Sequence, residues 1–320
     1  MKAVALGGGH GLHASLSALR LVTAELTAVV TVADDGGSSG RIRHELDVLP
    51  PGDLRMAIAA LAGDEPAHRA WADLLQHRLG GSGVLAGHPV GNLVLTGLFE
   101  RAGDDPTIAL TRMCELVGAV GRVLPMSPVP LDLVAEADRF DPDDPDRRRA
   151  IRGQSSVAAT PGRVRSVRLL PAGAPACAAA VDAVREADLV VLGPGSWFTS
   201  VIPHLLLHEL GTALAQTRAR VAVTLNLVPQ PGETDDDSPI ELLRSLREHS
   251  RRSGGLRIDA VVADHESIDD ERELTDFTRG IGASLLLSKL ATDDNAALHD
   301  PMRLAGAYRD VLTTGGQEWR

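Results

Sequence analysis

Short apolar runs alternate with amphipathic segments along most of the chain. The runs have the length of buried strands, and the segments between them are long enough to form helices. The strands predicted in this way cover residues 3–6, 26–32, 188–192, 221–226, 258–264 and 283–287. Strands that alternate with helices form a parallel sheet covered on both faces. The pattern therefore predicts an α/β protein with a Rossmann-like, mostly parallel sheet flanked by helices.

Apolar residues at helical spacing predict the helices between these strands. In the segment 66–78 this spacing places Trp71, Leu74 and Leu75 on the inward face. Predicted helices cover residues 12–21, 54–62, 66–78, 93–99, 107–117, 176–186, 240–247 and 299–312, and one more begins at 201. Such helices supply the crossover connections that parallel strands require.

The pattern changes between residues 122 and 175. Short extended segments at 123–126, 131–137, 151–157 and 164–170 are separated by prolines and an acidic loop. This predicts an antiparallel, β-rich insertion that forms a lid or a wall beside the main domain. The predicted organisation is a core formed by 1–121 and 176–312, an insertion at 122–175 and a frayed tail at 313–320.

A glycine cluster follows the first predicted strand and leads into the first helix. The predicted ligand-binding residues here are Gly7, Gly8, Gly9, His10, Gly11 and Leu12. A phosphate can approach the free N–H groups of a helix start where no Cβ holds it away. The cluster departs from the G-x-G-x-x-G fingerprint at Leu12 and lacks the G-K-[ST] of a Walker loop. It predicts a phosphate cradle that is not a standard NAD site, or else a tight turn that uses glycine for packing.

Acidic, hydroxyl and basic residues follow the second predicted strand. Asp34 and Asp35 come about 25 residues after the glycine cluster, and a carboxylate at the end of a second strand binds a ribose hydroxyl in such folds. The next candidates are Gly36, Gly37, Ser38, Ser39 and Arg41, followed by Asp53 and Arg55 in the segment PPGDLR. Arginine suits a phosphate because its planar fork donates two parallel hydrogen bonds, and Arg41, Arg43 and Arg55 are available for this role.

Three more polar segments are predicted to reach the same edge of the sheet. In GHPVGN, His88 and Asn92 precede a buried helix, where they either meet a ligand or only cap the helix. A second glycine loop, which also fits a well-capped turn, contributes Gly193, Pro194, Gly195, Ser196 and Thr199. The strand 221–226 leads into Asn226, Gln230, Glu233 and Thr234. Because the carboxyl ends of parallel strands share one edge, we expect these groups to converge in one crevice.

The composition excludes several classes of protein. The 320 residues are 44% hydrophobic and 23% charged, which is ordinary for a globular protein. The formal net charge of −11 disfavours non-specific binding to nucleic acid or to an anionic membrane. Cys114 and Cys177 are too few for a disulfide framework or a zinc site, and no apolar run approaches the roughly 18 residues of a membrane span. We expect a cytoplasmic protein with no membrane span and no nucleic-acid partner.

The sequence resembles the YvcK or gluconeogenesis factor family of the CofD-like superfamily. The blocks that carry the resemblance are, in order, GGGHGL, TVADDGGSSGRIR, PPGDLR, GHPVGNLVLTGL, ADLVVLGPGSWFTSVIPHLL and NLVPQPGETD. The resemblance implies a CofD-like fold and a protein that binds UDP-sugars, chiefly UDP-N-acetylglucosamine. It also implies a role in cell-wall growth and cell shape on gluconeogenic carbon sources. His10 departs from the threonine common in that family, and the arginine expected near His299 and Asp300 is not evident.

Two functions of different classes follow from this resemblance. The first is a nucleotide-sugar-binding regulatory protein with no assigned catalytic residue. The alternative is a transferase like CofD, the 2-phospho-L-lactate transferase, which uses a nucleotide diphosphate donor. For that reaction Asp34, Asp35 and Asp53 offer the oxygen ligands that Mg²⁺ prefers. His204 and His208 have the spacing of metal ligands on a helix, but a plain helix face also accounts for them. A homodimer and regulatory protein partners are left open.

Overall fold

The computed structural model describes residues 1–141, 143–144, 146–230, 233–234 and 237–313. Its strands are β1 (Lys2–Gly7), β2 (Glu25–Val30), β3 (Arg122–Pro125), β4 (Asp132–Asp138), β5 (Arg149–Arg152), β6 (Arg163–Leu170), β7 (Leu189–Leu192), β8 (Arg220–Thr224), β9 (Ala260–Asp264) and β10 (Ser284–Ser288). Its α-helices are α1 (Gly9–Leu19), α2 (Gly37–Leu46), α3 (Pro51–Ala60), α4 (Pro66–Gln76), α5 (Val90–Ala102), α6 (Pro106–Leu116), α7 (Gln154–Ala158), α8 (Ala178–Glu186), α9 (Pro203–Leu206), α10 (His208–Gln216), α11 (Pro239–Ser250), α12 (Glu271–Gly280) and α13 (Pro301–Thr313). A π-helical turn spans Trp197–Val201, and 3₁₀ turns span Arg251–Ser253 and His265–Ser267.

Within the described residues, seven parallel strands form the larger sheet in the order β10-β9-β8-β7-β1-β2-β3. Strand β1 lies near its centre and pairs in parallel with β2 on one side and β7 on the other. In both β1 and β2 every residue after the first is buried. Burial on both faces explains the continuous apolar runs of the sequence, because helices cover each side of such a sheet. The predicted Rossmann-like α/β fold is confirmed.

A smaller antiparallel sheet, in the order β5-β4-β6, lies within the segment predicted to be β-rich. Two predictions about that segment are wrong. Strand β3 belongs to the larger sheet, where it pairs in parallel with β2 and buries Val123 and Leu124. The stretch 151–157 is not extended throughout, because β5 ends at Arg152 and α7 begins at Gln154. The division of the chain into domains stays a prediction.

Most of the predicted helices are confirmed with small shifts of their ends, but helix α4 faces the protein differently from the prediction. Leu75 is 1% exposed, whereas Trp71 and Leu74 are 43% and 44% exposed. Ala72 and Leu75 are the residues of α4 that are buried. The buried face of α4 is therefore narrower than the spacing of its large apolar residues predicted. Helices α2 and α12 were not predicted at all.

The closing helix α13 is tied to the centre of the fold through Tyr308, the only tyrosine of the chain. Its buried hydroxyl lies 2.8 Å from Ser15 Oγ of α1 and 3.1 Å from Thr224 Oγ1 of β8. Ser15 in turn donates to the Gly193 carbonyl at 2.7 Å. This network fixes the backbone directly after β7. The predicted tail continues beyond Thr313, and its residues 314–320 lie outside the described part of the chain.

Across the described residues, no helix combines the length and the apolar character needed to cross a membrane. Cys114 and Cys177 are free thiols, and both are buried. Burial raises the pKa of the Cys114 thiol to about 11, so this group stays protonated and unreactive at neutral pH.

Candidate functional site

Two glycine loops meet where the chain leaves the carboxyl ends of the neighbouring strands β1 and β7. Ligands bind at this kind of edge in open α/β sheets, where connections depart to opposite sides. Gly11 lies against the second loop so closely that a Cβ built on it would overlap the Pro194 carbonyl group. The two loops therefore form one continuous wall. We call the space beside this wall, bounded also by Asp34, Asp53 and Asn226, the crevice.

The first loop presents unfilled backbone donors at the start of helix α1. Gly8 precedes the helix and has no side chain to cap it, and Leu12 N donates to the Gly8 carbonyl at 3.2 Å. The N–H groups of His10 and Gly11 have no acceptor among the described residues. A Cβ on Gly8 would lie 2.6 Å from Thr31 Cγ2 and still closer to the Asp53 carboxylate. Gly8 thus allows the loop to approach Asp53, while Leu12 is buried in the core and contributes backbone only.

The second loop is held by the side chain of Asn226. Gly195 N donates to Asn226 Oδ1 at 2.8 Å, and Asn226 Nδ2 donates to the Gly195 carbonyl at 3.0 Å. This reciprocal pair fixes the amide orientation and joins the loop after β7 to the end of β8. Gly193 N donates to the Leu6 carbonyl at 3.4 Å. Gly193 and Gly195, which are among the predicted ligand-binding residues, therefore do not offer free N–H groups to a diphosphate.

Glu233 occupies the donors that follow the second loop. Its carboxylate accepts from Phe198 N at 2.6 Å and from Thr199 N at 3.1 Å, and it also accepts from the Ser196 hydroxyl. Ser196 Oγ is hydrogen-bonded to Thr199 Oγ1 as well. Burial raises the pKa of Glu233, and the three hydrogen bonds partly offset that effect. Glu233 and Ser196 are brought together as predicted, but the carboxylate binds the protein's own backbone.

Two carboxyl groups, those of Asp34 and Asp53, line the floor of the crevice. Burial raises the pKa of Asp34, while hydrogen bonds from Gly36 N and Ser39 lower it. Burial and then the nearby charge of Asp34 raise the pKa of Asp53 to about 7, against a backbone hydrogen bond from Gly9 and the charge of Arg55. Like-charged carboxylates in one site favour a shared proton or a shared cation. This pair therefore fits a divalent ion as well as a ribose hydroxyl.

Asp35 does not face the crevice with Asp34. Its Oδ1 accepts from Ser155 N and from Ser155 Oγ, each at 2.8 Å. Ser155 lies on α7, whose Gln154 side chain also donates to Thr199 Oγ1 at 3.4 Å. Helix α7, which follows β5 of the smaller sheet, is therefore attached to the loop after β2 and to Thr199 beside the second glycine loop. The structure places Asp35 as a tether for this helix and not beside a ribose.

We expect Asp35→Ala to release α7 from the core. The substitution removes the acceptor of the Ser155 N–H, and one such charged hydrogen bond contributes about 1–2 kcal/mol. Hydrogen exchange of residues 153–158 should accelerate by roughly tenfold. Glu100→Ala, an exposed acid on α5, is the matched control. Unchanged exchange in Asp35→Ala would rule out the tether.

A chain of buried side chains joins α2, α3 and α5 beside the crevice. His88 Nδ1 lies 2.7 Å from Ser38 Oγ, Asn92 Nδ2 donates to Ser38 Oγ at 2.9 Å, and Arg55 Nε donates to Asn92 Oδ1 at 2.9 Å. Burial and the nearby charge of Arg41 lower the pKa of His88, so its imidazole is neutral at pH 7. The structure brings His88, Asn92, Ser38 and Arg55 together, and their role in binding a ligand stays a prediction. Capping alone is not their role, because no side-chain hydrogen bond caps α5.

The other predicted arginines bind backbone carbonyl groups. Arg41 donates to Val84 O at 3.3 Å and to Ala86 O at 3.1 Å, which holds the loop before His88. Arg43 donates to the Asp34 carbonyl at 3.2 Å and to Asp132 Oδ1 of the smaller sheet at 3.0 Å. Arg78, which sequence reasoning missed, donates to Gly87 O at 2.9 Å. Its only sequence signal was its position after α4, ten residues before His88.

The remaining predicted residues have local structural roles. Ser39 Oγ accepts from Gly52 N at 3.0 Å and so joins α2 to α3, while Gly36 and Gly37 start α2. Gln230 N donates to Thr234 Oγ1 at 3.0 Å in the loop after β8. Gly7 is the last residue of β1, and Gly9 begins α1.

His204 and His208 do not form a metal site. His204 is fully buried, with its ring nitrogens near the Val201 and Val29 carbonyl oxygens, and burial lowers its pKa to about 4. His208 is exposed at the start of α10. Among the residues with described positions, no group of three or more His, Cys, Asp or Glu side chains is arranged to hold a metal ion.

A cavity of about 360 Å³ borders Asn226, which also bounds the crevice. Its wall includes Asn226 and Thr234, and its apolar surface comes from the end of β8 and the first turns of α11 and α12. Another depression of about 300 Å³ lies at the opposite edge of the sheet, around Lys2 and Glu25. Its lining includes Gly121 but no buried carboxylate and none of the predicted site residues. The crevice and the cavity beside Asn226 are therefore the candidate site.

A doubly wound parallel sheet with two glycine loops at its central carboxyl edge defines a Rossmann-like α/β protein with a ligand crevice. The family model of the 2-phospho-L-lactate transferase CofD matches residues 3–279. The chain belongs to the CofD family and, within it, to the gluconeogenesis factors.

Two relatives and one solved structure support this family assignment. A Mycobacterium tuberculosis (strain H37Rv) protein named among the gluconeogenesis factors is 54% identical over 312 residues, which cover 96% of this chain and 89% of the relative. The gluconeogenesis factor of Bacillus subtilis (strain 168) is 33% identical, with 97% and 98% covered. A crystal structure of a UPF0052 family protein from Bacillus halodurans is 31% identical with a TM-score of 0.83, and 96% and 97% are covered.

Proposed function

We propose that this protein is a cytoplasmic regulatory protein that binds a nucleotide sugar, UDP-N-acetylglucosamine or a close relative, in the crevice. Its role is that of a gluconeogenesis factor, which maintains cell-wall growth and cell shape on gluconeogenic carbon sources. Regulatory protein partners and a homodimer fit this role. The observation that carries the proposal is the contact between Gly11 and Pro194, which joins two glycine loops into one wall at the carboxyl edge of the sheet.

The two parts of a nucleotide sugar match different parts of the crevice. The unfilled N–H groups of His10 and Gly11 suit a diphosphate because the N-terminus of a helix carries a partial positive charge. Asp34 offers carboxylate oxygens to ribose hydroxyls. Hydroxyl, amide and carboxylate groups of Ser196, Asn226 and Glu233 offer partners to a sugar. The cavity beyond Asn226 has room for a further ring.

A transferase reaction is the second candidate, and the Asp34–Asp53 pair favours it. Two neighbouring carboxyl groups with raised pKa values are suitable ligands for Mg²⁺, which neutralises a diphosphate during group transfer. Asp35 is excluded from this ligand set because its Oδ1 is engaged by Ser155. Chromatography of UDP-N-acetylglucosamine after incubation with the protein, with and without Mg²⁺, separates the two candidates. Conversion of the nucleotide sugar would favour the enzyme.

Isothermal titration with UDP-N-acetylglucosamine tests the binding proposal. We expect saturable binding to the wild-type protein and an affinity about tenfold lower for Asp34→Ala, which corresponds to roughly 1.4 kcal/mol. Glu100→Ala keeps the same change in charge at an exposed distant site and should bind as the wild type does. Absence of binding by the wild-type protein, or equal binding by Asp34→Ala, would contradict the assigned crevice.

A further inference from the structure

Three arginines, Arg41, Arg55 and Arg78, surround His88. Among the described residues, Arg41, Arg55 and Arg78 form no salt bridge, although the chain as a whole carries a net charge of −11. Arg41 and Arg78 donate hydrogen bonds to the carbonyl oxygens of the 84–87 loop. We call this region, formed by the three arginines with Ser38 and the first turns of α2 and α5, the arginine corner.

Arg55 is the buried member of the arginine corner. The residue is 4% exposed, and its one hydrogen bond with a described residue runs from Nε to Asn92 Oδ1. Both terminal nitrogens of the guanidinium group are thus left for another acceptor. Burial and the neighbouring charge of Arg78 lower the pKa of Arg55 to about 10, against the charge of Asp53, so the group stays charged at neutral pH. No salt bridge joins Arg55 to Asp53, and an anion hydrogen-bonded to the terminal nitrogens would further stabilise the buried charge.

The helices of the arginine corner add positive potential instead of relieving it. Helices α2 and α5 both begin here, and neither has a side-chain cap. In α5, Val90 N donates to the His77 carbonyl at 2.9 Å and Asn92 N donates to the Pro89 carbonyl at 3.0 Å, so the free N–H groups that carry the partial positive charge of a helix start are mainly those of α2. A guanidinium group at such a start is repelled by it, whereas an anion is attracted by both. The side chain of Asn92 keeps Arg55 in this position through its two hydrogen bonds.

We infer that the arginine corner binds an oxyanion, a phosphate or carboxylate group, at a site additional to the amides of α1. Arg55 provides the buried fork, Arg78 a second cation, and the Ser38 hydroxyl and the amides of α2 further donors. This inference rests on the proposed function. It means that the ligand carries an anionic group besides its diphosphate, or that a small free anion binds together with the ligand. A nucleotide sugar acid is the class that fits the first source, and phosphate fits the second.

Two probes distinguish the sources. UDP-glucuronate and UDP-glucose differ only in a carboxylate on the sugar, so a corner that holds part of the ligand should bind UDP-glucuronate about tenfold more tightly. Inorganic phosphate, titrated alone, tests the corner without a nucleotide, and it should compete with UDP-glucuronate but not with UDP-glucose. If phosphate binds without affecting either nucleotide sugar, the corner is a separate effector site. If phosphate does not bind and UDP-glucuronate binds no more tightly than UDP-glucose, the inference is overturned.

Single substitutions test which arginines bind the anion. Arg55→Gln should abolish both phosphate binding and the preference for UDP-glucuronate over UDP-glucose. Arg78→Gln, at an exposed residue that cannot disturb the core, should weaken phosphate by several-fold and so keeps the test valid if Arg55→Gln fails to fold. Arg101→Gln, at the other end of α5, is the matched control and should change nothing. Should neither UDP-N-acetylglucosamine nor UDP-glucose bind, the proposed function fails, and phosphate titration of the same variants still decides the arginine corner.

Discussion

Gly11→Ala should abolish ligand binding and lower the free energy of unfolding by about 3 kcal/mol. A Cβ at this position would overlap the Pro194 carbonyl group and lie too close to Gly195 Cα. Both are backbone atoms, held by the Asn226 pair and by the Ser15 hydrogen bond, so they cannot yield as a side chain would. The two glycine loops must therefore separate. Chemical denaturation and titration with UDP-N-acetylglucosamine measure the two effects.

Gly97→Ala is the control for this prediction. Gly97 lies within α5, and a Cβ there would meet no atom within 4 Å. Alanine favours a helix over glycine by about 1 kcal/mol, so this variant should be as stable as the wild type or more stable. If Gly11→Ala bound the ligand with wild-type affinity, the contact between the loops would not matter for the site.

Asp53→Asn should make stability less dependent on pH. The pKa of Asp53 is raised from 3.8 to about 7 in the folded protein. A raised carboxyl pKa favours the folded state fully below about pH 4, and this contribution is lost as the pH rises through 7. We therefore compare the free energy of unfolding of the variant with that of the wild type at low pH and at about pH 8. Between these two conditions the difference should shift by roughly 2 kcal/mol in favour of the variant, a value reduced for partial exposure of the carboxyl group.

Thermal or urea unfolding at a series of pH values measures this gain. Asp34 and Glu233 also have raised pKa values, so Asp53→Asn should retain part of the pH dependence. Asp310→Asn, an exposed residue of α13, provides a control with the same change of side chain. Parallel pH profiles for the wild type and Asp53→Asn would mean that folding does not raise the pKa of Asp53.

The central sheet was predictable because its physical signal is local. Strands buried on both faces must be continuously apolar, and β1, β2 and β7 are. Helix α2 was not predictable in the same way, because GSSGRIRHEL begins with two weak helix formers and two serines. Its first turn depends on tertiary contacts such as the hydrogen bond from Gly52 N to Ser39 Oγ. Helix α12 did have a local signal, since Asp270 caps it by accepting from Glu273 N at 2.8 Å.

The site was predictable as a location but not as a set of contacts. Glycine loops and acids after successive strands indicated one edge of the sheet, and the loops do meet there. Asp34 and Asp35 are neighbours in sequence with equal chemistry, yet Asp35 binds Ser155, 120 positions away. Arg78 became relevant only because the fold brings it near Arg55. Such pairings depend on packing between distant segments, which residue spacing does not encode.

Because of Glu233, the two glycine loops differ in the charge of the ligand group that each favours. Its carboxylate already accepts from Phe198 N and Thr199 N, so the donors beside the second loop are neutralised from within. A phosphate brought to that side would meet a negative group, whereas hydroxyls would find an acceptor. The two ends of the crevice therefore differ in charge preference, with free donors at the first loop and an acceptor beside the second. An asymmetric molecule with an anionic middle and a hydroxyl-rich end has one favoured direction of entry, and reversing it would place like charges in contact.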